Sequence, residues 1–254
     1  MSNNSGNSYI GLLPDTDHRL EASKGNIPGH TPIYKFGFND DINGTEEAIW
    51  MAGGEYVFPT DVAILRATSD NAADTSAGTG ARTITIEGLD TNYNEVSVDL
   101  TMNGLGAADT TQTFTRVNRV FVKTVGTIGY NVGRITLVHQ GAGTLVVATI
   151  SPEMSQTQQA VYTVPASKTL YVDDINFTAA ISTANKRAQV RAIVTDFGGA
   201  VRTRYINVLQ SSQLITKFEY PLPIYEKSDI VLTAVSDTSN NEIGASFQGI
   251  LVNN

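Results

Sequence analysis

The chain has 254 residues, 41% hydrophobic and only 17% charged, with a formal net charge of −8 and no cysteine. That length and apolar content allow one large domain or two of ordinary size with a real core, and the lack of cysteine excludes disulfides, zinc–thiolate sites, iron–sulfur clusters and a thiol nucleophile. The acidic balance argues against a general nucleic-acid binder, which needs a basic footprint; polarity comes from Ser, Thr, Asn and Gln, which pair across strands and interfaces without desolvating an ion.

Residues 1–45 show neither a two-residue nor a 3.6-residue period, and Gly, Pro, Asn and Asp interrupt them every few positions. No basic stretch leads into an apolar run, so the segment does not read as a signal peptide. No stretch in the chain reaches the roughly 18 apolar residues of a membrane-spanning helix, so a soluble chain is expected. Scattered apolar residues (Tyr9, Ile10, Leu12, Leu13, Ile27, Ile33, Tyr34, Phe36 and Phe38) predict an extended arm that orders on a neighbouring subunit rather than a solvated tail. A short helical turn is expected near Thr45–Met51, with Thr45 as N-cap and Glu46 and Glu47 in the first turn.

From Tyr56 onward strand follows strand. Segment 83–87 and segment 95–102 alternate polar and apolar residues around the turn-forming loop 88–94, which predicts a hairpin with one buried face. Further strands are expected over 61–68, 113–124, 133–139 and 144–150, with 69–80 as an exposed loop. Residues 151–159 carry no strand pattern and mark a domain boundary or a long crossover. Strands resume over 160–164, 168–180, 187–197, 200–209, 213–220, 229–236 and 244–252. Short strands at this spacing predict an all-β, antiparallel β-sandwich or jelly roll. The expected organisation is an arm (1–45), a β-sandwich subdomain (46–154) and a C-terminal jelly-roll-like subdomain (155–254), with a single elongated jelly roll as the alternative.

The pair Gly198-Gly199 reads as a tight hairpin turn placing residue 195 opposite 202, 193 opposite 204 and 191 opposite 206. Arg187, Arg191, Arg202 and Arg204 then share one sheet face. This face is the candidate partner-binding site, because the guanidinium fork pairs carboxylates bidentately; an acidic neighbour or an anionic polysaccharide suits it better than nucleic acid, since no aromatics are interleaved.

Catalytic patterns do not emerge. Of the three histidines, His18 and His30 fall in the arm and His139 ends a strand. No nucleophile elbow or phosphate loop is present. Asn39–Glu47 resembles a calcium loop at its first positions, but Trp50 stands where the bidentate Glu is required. Asp173 and Asp174 are adjacent on a strand and point to opposite faces. A non-enzymatic protein without metal or cofactor is expected.

Three segments carry a resemblance. Residues 160–171 (AVYTVPASKTLY) look like the entry to a jelly-roll sheet in tailed-phage virion proteins, residues 221–230 (PLPIYEKSDI) like the proline-bearing edge loop that follows, and residues 244–252 (GASFQGILV) like its closing strand. Residues 78–95 (GTGARTITIEGLDTNYNE) are similar to a segment of structural proteins of environmental phages. Ser167 and Tyr225 depart from the pattern, where Gly and Pro are expected. The resemblance implies a bacteriophage virion structural protein, assembled in the host cytoplasm, with the major capsid protein or other virion proteins as partners and no catalytic residues. Such a part is expected to be a capsid decoration (cement) or head-fibre protein and a homo-oligomer, trimers included, because such parts sit on symmetry axes. The alternative is a tail-associated receptor- or glycan-binding module, with Tyr93 and Tyr130 at loop tips stacking on sugar.

Overall fold

The computed structural model describes residues 17–141 and 143–254. Among the described residues the one helix is α1 (His18–Ser23), followed in chain order by β1 (His30–Ile42), β2 (Glu47–Ala48), β3 (Ala63–Ser69), β4 (Ala81–Leu89), β5 (Glu95–Thr101), β6 (Ala108–Phe114), β7 (Arg116–Val125), β8 (Ile135–His139) and β9 (Leu145–Ile150). The remaining strands are β10 (Val161–Thr163), β11 (Lys168–Ala180), β12 (Ala188–Thr195), β13 (Val201–Leu209), β14 (Gln213–Ile224), β15 (Asp229–Ser236) and β16 (Asn241–Asn253). Two-residue alternation decides which side is buried: in β12, Ala188, Val190, Ala192 and Val194 are inside, while Gln189, Arg191, Ile193 and Thr195 are partly exposed.

Eight strands close one sandwich. One sheet runs β1-β16-β11-β14 and the facing sheet runs β10-β15-β12-β13, with β2 added beside β15. All these pairings are antiparallel. Taken in chain order without β2, the first strand pairs with the eighth, the second with the seventh, the third with the sixth and the fourth with the fifth. An antiparallel ribbon folded over itself in this way is a jelly roll. Its core includes Leu170, Ile175, Phe177, Ile230, Leu232 and Phe247.

Strands β3 to β9 form a second sandwich, with sheets β6-β3-β8-β9 and β5-β4-β7. Leu65, Ile84, Ile86, Phe114, Ile135 and Leu137 fill it. Because β1 and β2 precede it and β10 follows it, the second sandwich is an insertion between the first two strands of the jelly roll.

Residues 1–16 of the expected arm, with Tyr9, Ile10, Leu12 and Leu13, lie outside the described residues. Residues 30–42 do not extend away: they pair with β16 from His30↔Val252 to Ile42↔Asn241. Their inward positions hold Ile33, Lys35, Gly37 and Asn39, a mixture that hides the two-residue period. Gly37 is required here, since a Cβ would stand 2.1 Å from the carbonyl oxygen of Ile49 and 2.4 Å from the amide of Ala160 where those segments cross beneath β1. Before it, Asp17 caps α1 by accepting from the amides of Arg19 and Leu20. No helical turn forms over 45–51, where β2 pairs with β15 instead. The expected strand over 113–124 is two strands, β6 and β7. Loop 69–80 is not wholly exposed: Asp74 is fully buried and accepts from the amides of Ala81, Val132 and Gly133 and from the Ser69 hydroxyl.

The junction between the sandwiches is built on Arg116, at the start of β7, and Asp229, at the start of β15. Their two hydrogen bonds are 2.9 Å (Nε to Oδ1) and 3.0 Å (Nη2 to Oδ2). Arg116 also donates to the carbonyls of Pro59 and Thr115, and Thr163 donates to Asp229. The Arg116 guanidinium lies over the rings of Phe58 and Tyr93, 5.3 and 5.6 Å from their centroids. Asn118 of β7 exchanges two hydrogen bonds with the backbone of Thr163 in β10. Trp50, Tyr56, Ala48 and Val161 form an apolar cluster at this junction, and the Tyr56 hydroxyl donates to the Val147 carbonyl.

Two stability outcomes follow. Arg116→Met leaves Asp229 buried without its counter-charge and costs about 3–5 kcal/mol in denaturant unfolding, while Arg116→Met combined with Asp229→Leu costs clearly less. Ser167, where the motif expects Gly, has φ +58°, a region that favours glycine. Ser167→Gly therefore raises stability by about 0.5–1 kcal/mol in the same measurement.

Candidate functional site

The braced junction leaves a groove between the jelly roll and the insertion. It has a volume of about 520 Å³ and is walled by Ile33, Tyr34 and Phe36 of β1 on one side and by Glu87 of β4 and Arg119 of β7 on the other. Lys35, Asn118, Thr157 and Tyr162 also line it. A second hollow of about 330 Å³ shares Ile33, Glu87, Asn118 and Tyr162 and continues past Glu95, Val96 and Ser97 of β5.

Lys35 points inward from β1 beside Phe247, its cross-strand partner. It is buried, and its ammonium donates to the carbonyl of Asn118. Burial, helped by the Arg119 charge and opposed by Glu87, pushes its pKa down to about 7. Burial and the nearby Glu95 and Glu87 carboxylates raise the Tyr162 hydroxyl above its ordinary value, keeping it protonated. Glu87 and Arg119 stand 3.9 Å apart, both about half exposed, and Arg119 also donates to Gln156. Tyr34 and Phe36 are neighbours two residues apart on one strand face, with stacked rings 5.9 Å apart. Tyr34 is 63% exposed.

The four arginines do not form one face. The β12–β13 hairpin turns through residues 197–199, with the Asp196 amide bonded to the Ala200 carbonyl, so Thr195 pairs with Val201 rather than 202. A bulge at Arg204 then undoes the one-residue slip, and Arg191 pairs with Ile206 as expected. Between turn and bulge every side chain is on the opposite face from the expected one. Arg202 therefore shares the face of buried Val194. Each of three arginines meets an acid of the chain itself: Arg187 with Asp237, Arg191 with Glu46 at 3.0 Å and Arg202 with Asp196 at 3.0 Å. Arg204 sits in the bulge.

The remaining candidates are structural. His139 is buried, bonded to the Phe114 carbonyl and the Gly141 amide. Asn39 is buried in β1 and donates to Glu47 and to the Ala48 carbonyl. Among the described residues no group of three or more His, Cys, Asp or Glu is placed to hold a metal. Asp173 pairs with Arg19 and Asp174 with Gln248. Tyr93 is not a free loop tip: it packs edge-on against Phe197, and Lys227 lies over both rings. Tyr130 is 36% exposed. No described helix is long and apolar enough to cross a membrane.

A second surface feature lies where β13 turns into β14. These are edge strands of the two jelly-roll sheets. From Ile206 to Thr216 the chain carries no charged residue, and Ile206, Val208 and Ile215 are exposed.

Neither surface was found from sequence. The groove joins residues about 50 to 130 positions apart; its one local signal is the alternation Tyr34, Phe36, Phe38, which marks a strand with an aromatic face. The uncharged run at 206–216 is visible in the sequence, but its exposure is not.

No protein-family model matches this chain, and no curated protein matches it. Among solved structures it is similar to a structure of the infectious bursal disease virus Gx strain at 10% identity, covering 88% of this chain and 72% of that one, with a TM-score of 0.25. It is also similar to the VP2 subviral particle of infectious bursal disease virus at 11% identity, covering 92% and 77%, with a TM-score of 0.24. Likeness at this level carries no argument about fold or function; the jelly roll rests on strand pairing.

Lys35 yields a pH test. The folded protein releases the Lys35 proton at about 7 and the unfolded chain only near 10.5. Between those values the unfolded state holds more protons, so wild-type stability rises with pH. Lys35→Met is therefore more stable than wild type at pH 6, by on the order of 1–3 kcal/mol. The advantage shrinks between pH 7 and 10, as read from urea midpoints.

Proposed function

We propose that this chain is a non-enzymatic structural protein of a virus particle that works through subunit interfaces. The observation that carries the reading is the uncharged corner from Ile206 to Thr216, with Ile206, Val208 and Ile215 exposed on two edge strands. Soluble monomers usually blunt such edges with charge, proline or a covering segment. Here Arg202 and Arg204 precede the corner, and Lys217, Glu219, Pro221 and Pro223 follow it, but the corner itself is bare. An uncharged edge with three exposed aliphatic side chains suits a part that is buried on assembly.

The finer reading is a capsid decoration (cement) or head-fibre protein of a bacteriophage, held on the major capsid protein or another virion protein as a homo-oligomer. Its support is the resemblance of residues 160–171, 221–230 and 244–252, which fall on β10–β11, the end of β14 into β15, and β16. The four-arginine docking face has no such support, because the register separates Arg202 from Arg191 and each has an internal acid.

Assembly is tested by sedimentation of the isolated chain and by its rebinding to particles stripped of it. Wild type is expected to form a homo-oligomer and to rebind. The double substitution Ile206→Glu, Ile215→Glu is expected to shift the chain to monomer and weaken rebinding at least about tenfold. Its thermal midpoint should hardly move, since exposed substitutions alter stability by only about 0.5 kcal/mol. A wild-type monomer that ignores stripped particles sinks the proposal.

A further inference from the structure

The groove beside β1 has a chemistry that assembly does not use. Its two hollows, about 520 and 330 Å³, meet at Ile33, Glu87, Asn118 and Tyr162 and form one elongated trough. A third, of about 190 Å³, shares Pro32, Ile33 and Tyr34 and opens on the other side of the same strand. The larger two lie in the range of about 300–1,000 Å³ that accepts small organic ligands.

One wall presents the stacked rings of Tyr34 and Phe36. Tyr34 is 63% exposed, although large aromatic surface is costly to leave in water. The other wall presents Glu87 and Arg119, too far apart at 3.9 Å for a tight ion pair, with Gln156 beside them. The Arg119 guanidinium stacks on Phe121, 4.6 Å from the ring centroid, which holds its plane. Carboxylate, guanidinium and amide are all planar forks that can each engage two neighbouring hydroxyls. An aromatic platform and such forks lining one groove match a sugar ring, which has an apolar C–H face and a rim of hydroxyls.

Charge and backbone chemistry narrow the ligand. Glu87 stands beside Arg119, Glu95 is paired with Lys168, and the buried Lys35 amine is already committed to the Asn118 carbonyl. The trough therefore has no surplus of cationic groups to attract phosphate, sulfate or uronate polymers, and a neutral ligand suits it better. An added peptide strand would hydrogen-bond along the free edge of β1, and Pro32 has no N–H to offer there.

We propose that this trough is a binding site for a neutral oligosaccharide, with Tyr34 and Phe36 as the stacking platform and Glu87, Arg119 and Gln156 as the hydroxyl partners. The site is independent of the assembly surface at 206–216, so either can fail alone.

The test is calorimetric titration of the full chain with neutral trisaccharides of glucose, mannose, galactose and N-acetylglucosamine, with a heparin tetrasaccharide and a deoxythymidine decamer as anionic arms. At least one neutral trisaccharide is expected to bind with a Kd at or below about 1 mM. Tyr34→Ala and, separately, Glu87→Gln are expected to weaken that binding at least about tenfold. Both residues are substantially exposed, so both variants should keep the wild-type thermal midpoint; a variant that loses it is replaced by Gln156→Ala, which must show the same loss of binding. Three results overturn the assignment: no neutral trisaccharide binding up to about 10 mM, binding that survives the substitutions, or binding of only the anionic ligands.

Discussion

The arrangement of this protein depends on a buried ion pair. Arg116 belongs to the insertion and Asp229 to the jelly roll, 113 positions apart, and their side chains are 11% and 8% exposed. Taking two charges out of water costs several kcal/mol per ion, and attraction repays it only when the remaining donors and acceptors are also satisfied. Here they are: Arg116 has two backbone carbonyls and two aromatic faces, and Asp229 has the Thr163 hydroxyl. Burial lowers the Arg116 pKa, but the Asp229 hydrogen bond and charge outweigh it, so the guanidinium stays charged. The pair adds less to net stability than to direction. A bidentate contact tolerates little rotation, so it sets the angle between the two sandwiches.

That angle makes the groove. The insertion leaves the jelly roll after β2 and returns before β10, so its β7 comes to lie against β10 and across from β1. Asn118 ties β7 to Thr163, and the Lys35 amine reaches the Asn118 carbonyl. The polar junction floors a trough whose walls come from different sandwiches. A looser joint would let the walls of the trough drift apart.

Legibility from the sequence divided along the range of the forces. The hairpin β4–β5 was readable because alternation and turn chemistry are local; Asp90 closes the turn by accepting from the amides of Asn92 and Asn94. Most later strands were readable for the same reason. Strand β1 was not, since Lys35, Gly37 and Asn39 occupy its inward positions and each is explained only by a distant partner: the Asn118 carbonyl, the crossing chain at Ile49 and Ala160, and Glu47. The arginine face failed on a single residue. Gly198-Gly199 signals a turn but not whether the loop holds two residues or three, and the bulge at Arg204 has no local signature.

Composition, two-residue periodicity and turn residues within a few positions of one another were enough to establish that the chain is all-β and antiparallel, where most strands lie, and that no thiol chemistry is available. Ser167 could be singled out as standing in a glycine's place, and its positive φ agrees. The three-dimensional arrangement alone shows that the second sandwich interrupts the jelly roll, that β1 lies at the edge of the first sheet, and that Tyr34 and Glu87 line one groove. Those facts depend on which distant strands meet. Many edges can satisfy the same backbone hydrogen bonds, and the choice among them is made by pairings such as Arg116 with Asp229, whose partners lie too far apart in the chain to leave a periodic trace.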